Sequence, residues 1–170
     1  MRGFRKPEGE IPTQVQILYP PLNMNKDQSI LISGACLFKE SRGRVYWLVV
    51  KNTDEVGWEI PKATVRKGES SVRAILRVLG ELAGMSVRVL EEVGRASSSA
   101  SVNGRSISQK FLYYLLIYKT SAGEILGFTD FEWLEQGKAI KKLSIKREKS
   151  MLREAKVVLK TWEKIHGKAR

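Results

Sequence analysis

The chain is poor in the residues from which most catalytic centres are assembled. It has a single cysteine, Cys36, and a single histidine, His166, among 170 residues. One thiol excludes an internal disulfide framework. One imidazole, close to the C-terminal end, excludes a histidine-based metal cluster and a Ser-His-Asp triad. Cys36 lies inside the apolar run Ile30-Leu31-Ile32-Ser33-Gly34-Ala35-Cys36-Leu37-Phe38, where it reads as a small buried hydrophobe. Acids are scarce too: 18 Asp and Glu stand against 30 Lys and Arg, for a formal net charge of +12, and the stretch from Val93 to Gly123 has no acid at all. No apolar run approaches the roughly 20 residues that span a bilayer, so a membrane partner is not expected. Arg2, Arg5 and Lys6 are followed by Glu8, Glu10 and Pro12 rather than by the apolar core of a signal peptide. A cytoplasmic setting is the expectation, with an organellar address left open.

What is present suits one α/β domain. Hydrophobic residues make up 42% of the chain, enough for a single ordinary core, and no repeat or low-complexity block divides it. Residues 1–28 form a polar, proline-punctuated extension in which Val15 to Tyr19 reads as an edge strand before the Pro20-Pro21 break. The domain proper is expected over residues 29–170. Ile30 to Phe38 and Val45 to Lys51 are strand-like, separated by the turn-prone Glu40-Ser41-Arg42-Gly43. Ala74, Ile75, Val78, Leu79 and Leu82 recur at helical spacing. Val87 to Val93 and Phe111 to Tyr118 read as strands joined by a long Ser-, Gly- and Asn-bearing loop, Arg95 to Gln109. A loop of that length is expected to be functional or disordered.

The segment from Gly57 to Met85, GWEIPKATVRKGESSVRAILRVLGELAGM, combines a short strand, a Pro-Lys turn, a Gly-Glu pair, an amphipathic helix and a closing glycine. It resembles the Nudix box, G-x5-E-x7-R-E-U-x-E-E-x-G-U with U aliphatic. Aligned on Glu69, the chain matches at Glu69, Arg77, Leu79, Glu81, Gly84 and Met85, and departs at Ala63, Val78 and Leu82, where the pattern has Gly, Glu and Glu. The flanking Trp58-Glu59-Ile60-Pro61-Lys62 is similar to the diadenosine tetraphosphate hydrolase branch. The likeness covers about residues 29 to 165. It implies a Nudix-type α/β/α sandwich with a mixed central sheet and, in an active member, magnesium. Lys62, at the Pro-Lys position, is the implied phosphate contact, with Arg77 beside it.

The departures bear on the chemistry. Magnesium prefers near-octahedral oxygen ligands, usually carboxylates together with substrate phosphates, and the box glutamates supply those oxygens in active members. Positions 78, 81 and 82 share a helix face, which here reads Val, Glu, Leu. Glu69 and Glu81 are the residual candidates for catalysis and metal binding. Each also has a structural reading: Glu81 as an i,i+4 partner of Arg77, worth a few tenths of a kcal/mol, and Glu69 as a brace at the helix start.

A second feature is independent of any likeness. Residues 138–170 hold 12 Lys or Arg against 3 Glu. On a helix, Leu152, Ala155, Val158, Leu159, Trp162 and Ile165 form an apolar side expected to pack on the core. Lys149, Arg153, Lys156, Lys160 and Lys164 form a separate stripe, able to neutralise phosphates or simply to be solvated. Trp58 is the first candidate for stacking on a base, ahead of Tyr113, Tyr114 and Tyr118, whose alternation also suits core packing.

These features point to a Nudix-fold protein with a degenerate box that binds RNA, a ribonucleoprotein or nucleotide phosphates with little or no hydrolysis. The alternative is a magnesium-dependent hydrolase of nucleoside or dinucleoside polyphosphates, with Glu69 and Glu81 joined by Asp54, Glu55 or Glu59. A third reading is a structural protein whose old site is packed shut.

Overall fold

The computed structural model describes residues 29–52 and 57–169. The strand expected at Val15 to Tyr19, and the carboxylates Asp54 and Glu55, lie outside the described residues. Strands β1 (Ser29–Ser41), β2 (Arg44–Lys51), β3 (Lys62–Thr64), β4 (Met85–Val102), β5 (Arg105–Ser121) and β6 (Asp130–Leu134) form one sheet. Its order is β4-β5-β1-β2-β6, with β3 also paired to β1. Only β1 and β5 run parallel, so the sheet is mixed, as expected. Helix α1 (Ser71–Arg77) continues as a wider π turn over Val78–Leu82. Helices α2 (Gln136–Lys142) and α3 (Lys146–His166) follow β6.

Why the central strands read as unbroken apolar runs is plain from their burial. Successive side chains of a strand point to opposite faces, and both faces here are covered. Cys36 and Phe38 of β1, Trp47 and Val49 of β2, and Phe111, Tyr113 and Leu115 of β5 share one core layer with Leu152, Ala155 and Leu159 of α3. Ala35 and Leu37, Leu48 and Val50, and Tyr114 and Leu116 share the other with Ala74, Ile75, Val78 and Leu79. The sheet is therefore a septum between α1 on one side and the α2–α3 pair on the other. The packing tolerates no extra atom at Gly34, where a Cβ would sit 2.5 Å from the Tyr113 ring.

Three expectations change here. Arg95 to Gln109 is not a loop: β4 and β5 pair continuously out to Val102↔Arg105, around a two-residue turn at Asn103 (φ 54°) and Gly104 (φ 76°). Asn-Gly adopts the positive φ values that match the twist of a hairpin, so the polar composition belongs to an exposed ribbon. Leu82, expected on the buried side of the box helix, is 56% exposed, because the π turn rotates it away from the sheet. Ile165, in the last turn of α3 and expected on its apolar side, is 72% exposed.

Candidate functional site

The box segment is built around one ion pair. Ile60 and Pro61 lead into β3, which pairs with β1 through Gly34↔Lys62. The next turn closes when Glu69 N–H donates to the Arg66 carbonyl at 3.0 Å and a Glu69 carboxylate oxygen accepts from Arg66 N–H at 3.0 Å. Gly68 sits at φ +80°, a left-handed conformation that costs glycine little. Ser70 caps α1 by accepting from Arg73 N–H at 3.1 Å. Arg77 reaches back to donate to both Glu69 oxygens, at 2.7 and 2.9 Å, and to the Thr64 carbonyl at 3.1 Å. The fork-to-fork geometry is the strong form of such a pair. It draws Arg77 to Glu69 rather than to the i,i+4 neighbour Glu81. These Arg77 bonds hold the Glu69 carboxyl at about 2, well below its ordinary 4.5. Val78 is buried at 8% exposure, whereas Glu81 and Leu82 face solvent.

Lys62 and Trp58 sit on the α2–α3 side. Lys62 Nζ donates to Glu59 at 2.5 Å, to Glu148 at 2.5 Å and to the Ile60 carbonyl at 3.3 Å. All three ammonium protons thus have protein acceptors. A phosphate contact by Lys62 requires it to leave them. The other Glu59 oxygen accepts from the Asn52 amide at 2.8 Å. Glu148, fully buried, also accepts from Ile60 N–H at 2.7 Å, and Tyr113 donates to it at 3.5 Å. Burial pushes the Glu148 carboxyl above its ordinary value, against the pull of Lys62. Trp58 is half-buried; its N–H donates to the Ser144 hydroxyl at 3.2 Å, its carbonyl accepts from Ser144 N–H at 2.9 Å, and Lys142 Nζ lies 4.5 Å from its ring centroid. Tyr113 and Tyr114 are core residues, and Tyr118 packs edge-on against Trp133.

Glu148 is not singled out in the sequence, yet a signal for it exists, while Tyr113, weighed there for stacking or core packing, is a core residue that donates to Glu148. Glu148 precedes Leu152, Ala155 and Leu159 by four, seven and eleven positions, so it lies on the apolar stripe of α3. A carboxylate there must find partners inside the protein.

The basic stripe of α3 stands clear of this network. Arg153, Lys156, Lys160 and Lys164 are exposed and Lys149 is half-buried. None of the five forms an ion pair with another described residue. Among the described residues no helix is long and apolar enough to cross a membrane.

No family model matches this chain, and no curated protein matches it significantly. Solved structures do. An Ap4A hydrolase from C. elegans in a binary complex superposes with TM-score 0.60 at 19% identity, covering 78% of this chain and 98% of the other. The fold is the Nudix fold. The dihydroneopterin triphosphate pyrophosphohydrolase of E. coli matches with TM-score 0.59 at 9% identity, over 73% and 92% of the two chains. The Nudix domain of Shewanella oneidensis NrtR, complexed with ADP ribose, matches with TM-score 0.57 at 16% identity, over 77% and 88%.

The Nudix resemblance implies a magnesium site, and the donors can be checked against it. Among the described residues, no three His, Cys, Asp or Glu side chains come together as a metal would require. Glu69 is committed to Arg77, Glu59 to Lys62 and Asn52, and Val78 and Leu82 offer no oxygen. The described residues do not fit the ion.

The unlike environments of positions 78 and 82 predict unlike costs. Val78→Glu places an unpaired carboxylate in the core and should lose about 3 kcal/mol; Leu82→Glu should stay within about 0.5 kcal/mol of the parent. Urea denaturation of the two single variants checks this, and equal losses would show that both positions pack alike.

The Glu69–Arg77 pair should also give stability an acid limb. A carboxyl lowered from 4.5 to about 2 on folding contributes stability that is complete above about pH 5 and disappears as the pH falls toward 2. Chemical denaturation of the parent and Glu69→Gln at about pH 6 and about pH 3 should show their stability difference shrinking at the lower pH. A difference that does not change with pH would mean that the pair does not set this titration.

Proposed function

We propose that this chain is a Nudix-fold binding domain that holds nucleic-acid phosphates, RNA above all, without hydrolysing them. The observation that carries the reading is the state of the box carboxylates: Glu69 is spent on Arg77, and Glu81 stands alone between a buried valine and an apolar Leu82. With one carboxylate of the box helix left uncommitted, no site for a divalent cation is assembled from the described residues. Lys62 and Arg77 then serve as braces, and the phosphate contacts pass to Lys149, Arg153, Lys156, Lys160 and Lys164. Such a stripe gains affinity by releasing the counterions condensed on the nucleic acid. Trp58, with one face under Lys142, is an auxiliary stacking surface.

The hydrolase reading keeps one point in its favour, the superposition on an Ap4A hydrolase. The two readings differ in turnover. With magnesium or manganese, the purified protein is expected to release no product above blank from diadenosine tetraphosphate or nucleoside triphosphates. Metal-dependent turnover that disappears in Glu81→Gln would establish the hydrolase instead.

Binding has its own test. The triple variant Arg153→Glu, Lys156→Glu, Lys160→Glu should melt like the parent, because all three side chains are exposed. Its affinity for an oligoribonucleotide should fall at least tenfold. The slope of log K against log salt should shrink by about 2, at roughly 0.7 per phosphate contact for a single strand. Fluorescence anisotropy at several salt concentrations measures both, and an unchanged slope would reduce the stripe to a solvated face.

A further inference from the structure

The stripe on α3 does not end at the helix. A groove of about 390 Å³ runs between α3 and the start of β2, lined by three cations, Lys156 and Lys160 from the stripe and Arg44 from the far side, and by two carboxylates, Glu135 and Glu163, so that the cations are in excess by one. Arg44 is the first residue of β2, immediately after the tight turn at Arg42 and Gly43. It is more than a hundred positions from the lysines in sequence and is brought to them only by the fold. The chain just beyond α3 is tied to the same corner, where Lys168 pairs with Glu40 at 3.1 Å.

Two features say what the groove accepts. Its floor is Val45, Trp47 and Leu159, and the latter two are 1% and 4% exposed, so no aromatic face is offered to a base. A site that presents cations without a stacking platform reads backbone, not sequence. The second feature is the hold on Arg44. Its sole ion pair among the described residues is with Glu135, at 3.4 Å, between side chains 67% and 44% exposed. An exposed, long, single-bonded pair contributes little, so Arg44 can exchange Glu135 for a phosphate, which offers more oxygens and more charge.

We infer that Arg44, Lys156 and Lys160 form the seat for one phosphodiester group of a bound nucleic acid, with the β1–β2 corner completing the surface begun by α3. Glu135 acts as the competitor that holds Arg44 in the free protein. The inference rests on the reading of α3 as a nucleic-acid surface and adds a residue and a groove to it.

The probe is a fluorescein-labelled oligouridylate, titrated by anisotropy against the full chain at several salt concentrations. Arg44→Glu should leave the melting temperature unchanged, weaken binding about fivefold to tenfold and reduce the salt slope by about 0.7, the contribution of one phosphate. Glu135→Gln should tighten binding about threefold. If Arg44→Glu changes neither affinity nor slope while the α3 triple variant still weakens binding, the seat is overturned and the wider reading stands. If both variants bind like the parent, the proposed function fails and the seat with it. Weaker binding in Glu135→Gln also overturns the seat, since it would make Glu135 a support for Arg44 and not its competitor.

Discussion

A carboxylate carried into the core by α3 sets the geometry of everything around it. Glu148 bridges Ile60 N–H and the Lys62 ammonium, and so fastens the first turn of the last helix to the segment that enters the box. Removing one partner from a buried pair is far more costly than the pair's net worth, because the other charge is left without compensation. The bridge also fixes α3 in rotation. At about 100° per residue, Lys149, Arg153, Lys156, Lys160 and Lys164 fall roughly 80–160° around the axis from Glu148. With Glu148 pointing inward, the stripe can only emerge along the flank beside α2 and the β1–β2 corner. Met151 and Trp162 fall on the opposite flank, against Gly94 and Arg88 of β4. The placement of the positive surface is therefore a consequence of how one acid is buried.

The sheet, the box helix and the final helix were legible from the chain because each rests on a short-range pattern. Unbroken apolar runs marked strands covered on both faces, and the spacing of Ala74, Ile75, Val78 and Leu79 marked the helix. What stayed hidden depended on distant partners or on backbone detail. The outer half of the β4–β5 ribbon, Arg95 to Gln109, reads as a loop because its serines and glycines outweigh the Asn103-Gly104 signal, which fixes a hairpin whatever the flanking polarity. Leu82 left the core because the helix widens into a π turn, a change that apolar periodicity cannot register. Arg77 took Glu69 rather than Glu81, since the turn at Gly68 brings a carboxylate within reach of both guanidinium edges. Arg44 is the plainest case, because only the sheet brings β2 beside α3.

The division of charge follows the same logic. The acids at the centre of the molecule are engaged: Glu59 and Glu148 on Lys62, Glu69 on Arg77. The Glu148–Lys62 and Glu69–Arg77 pairs join parts of the chain that must meet for the fold to close, and Glu59 supports Lys62 locally. The lysines and arginine of the stripe have no such task among the described residues. They lie on a helix whose packing uses only its other face. Unpaired like charges repel one another and lower the stability of the compact state, a cost that binding of an anion, as in the proposed function, would offset. A surface of this kind is held ready by the fold without being needed by it.

The matched box positions each have a use in the fold. Leu79 is fully buried and Met85 nearly so, and Gly84 occupies φ +64° at the end of the helix. Glu69 and Arg77 close the turn before α1. Each of these matches is required by packing, by backbone conformation or by hydrogen bonding, whether or not a metal is bound. The positions that depart from the pattern are of a different kind. A glutamate at 78 would have to be buried without a partner, and one at 82 would contribute little to folding from its exposed place. The fold therefore uses the matched half of the motif directly, while glutamates at 78 and 82 would add nothing to folding. Glu81 is the exception: matched and exposed, it makes no hydrogen bond or ion pair with a described residue and meets Arg77 only through longer-range charge attraction. It is the single box residue whose role depends on what the surface meets and not on what the fold needs.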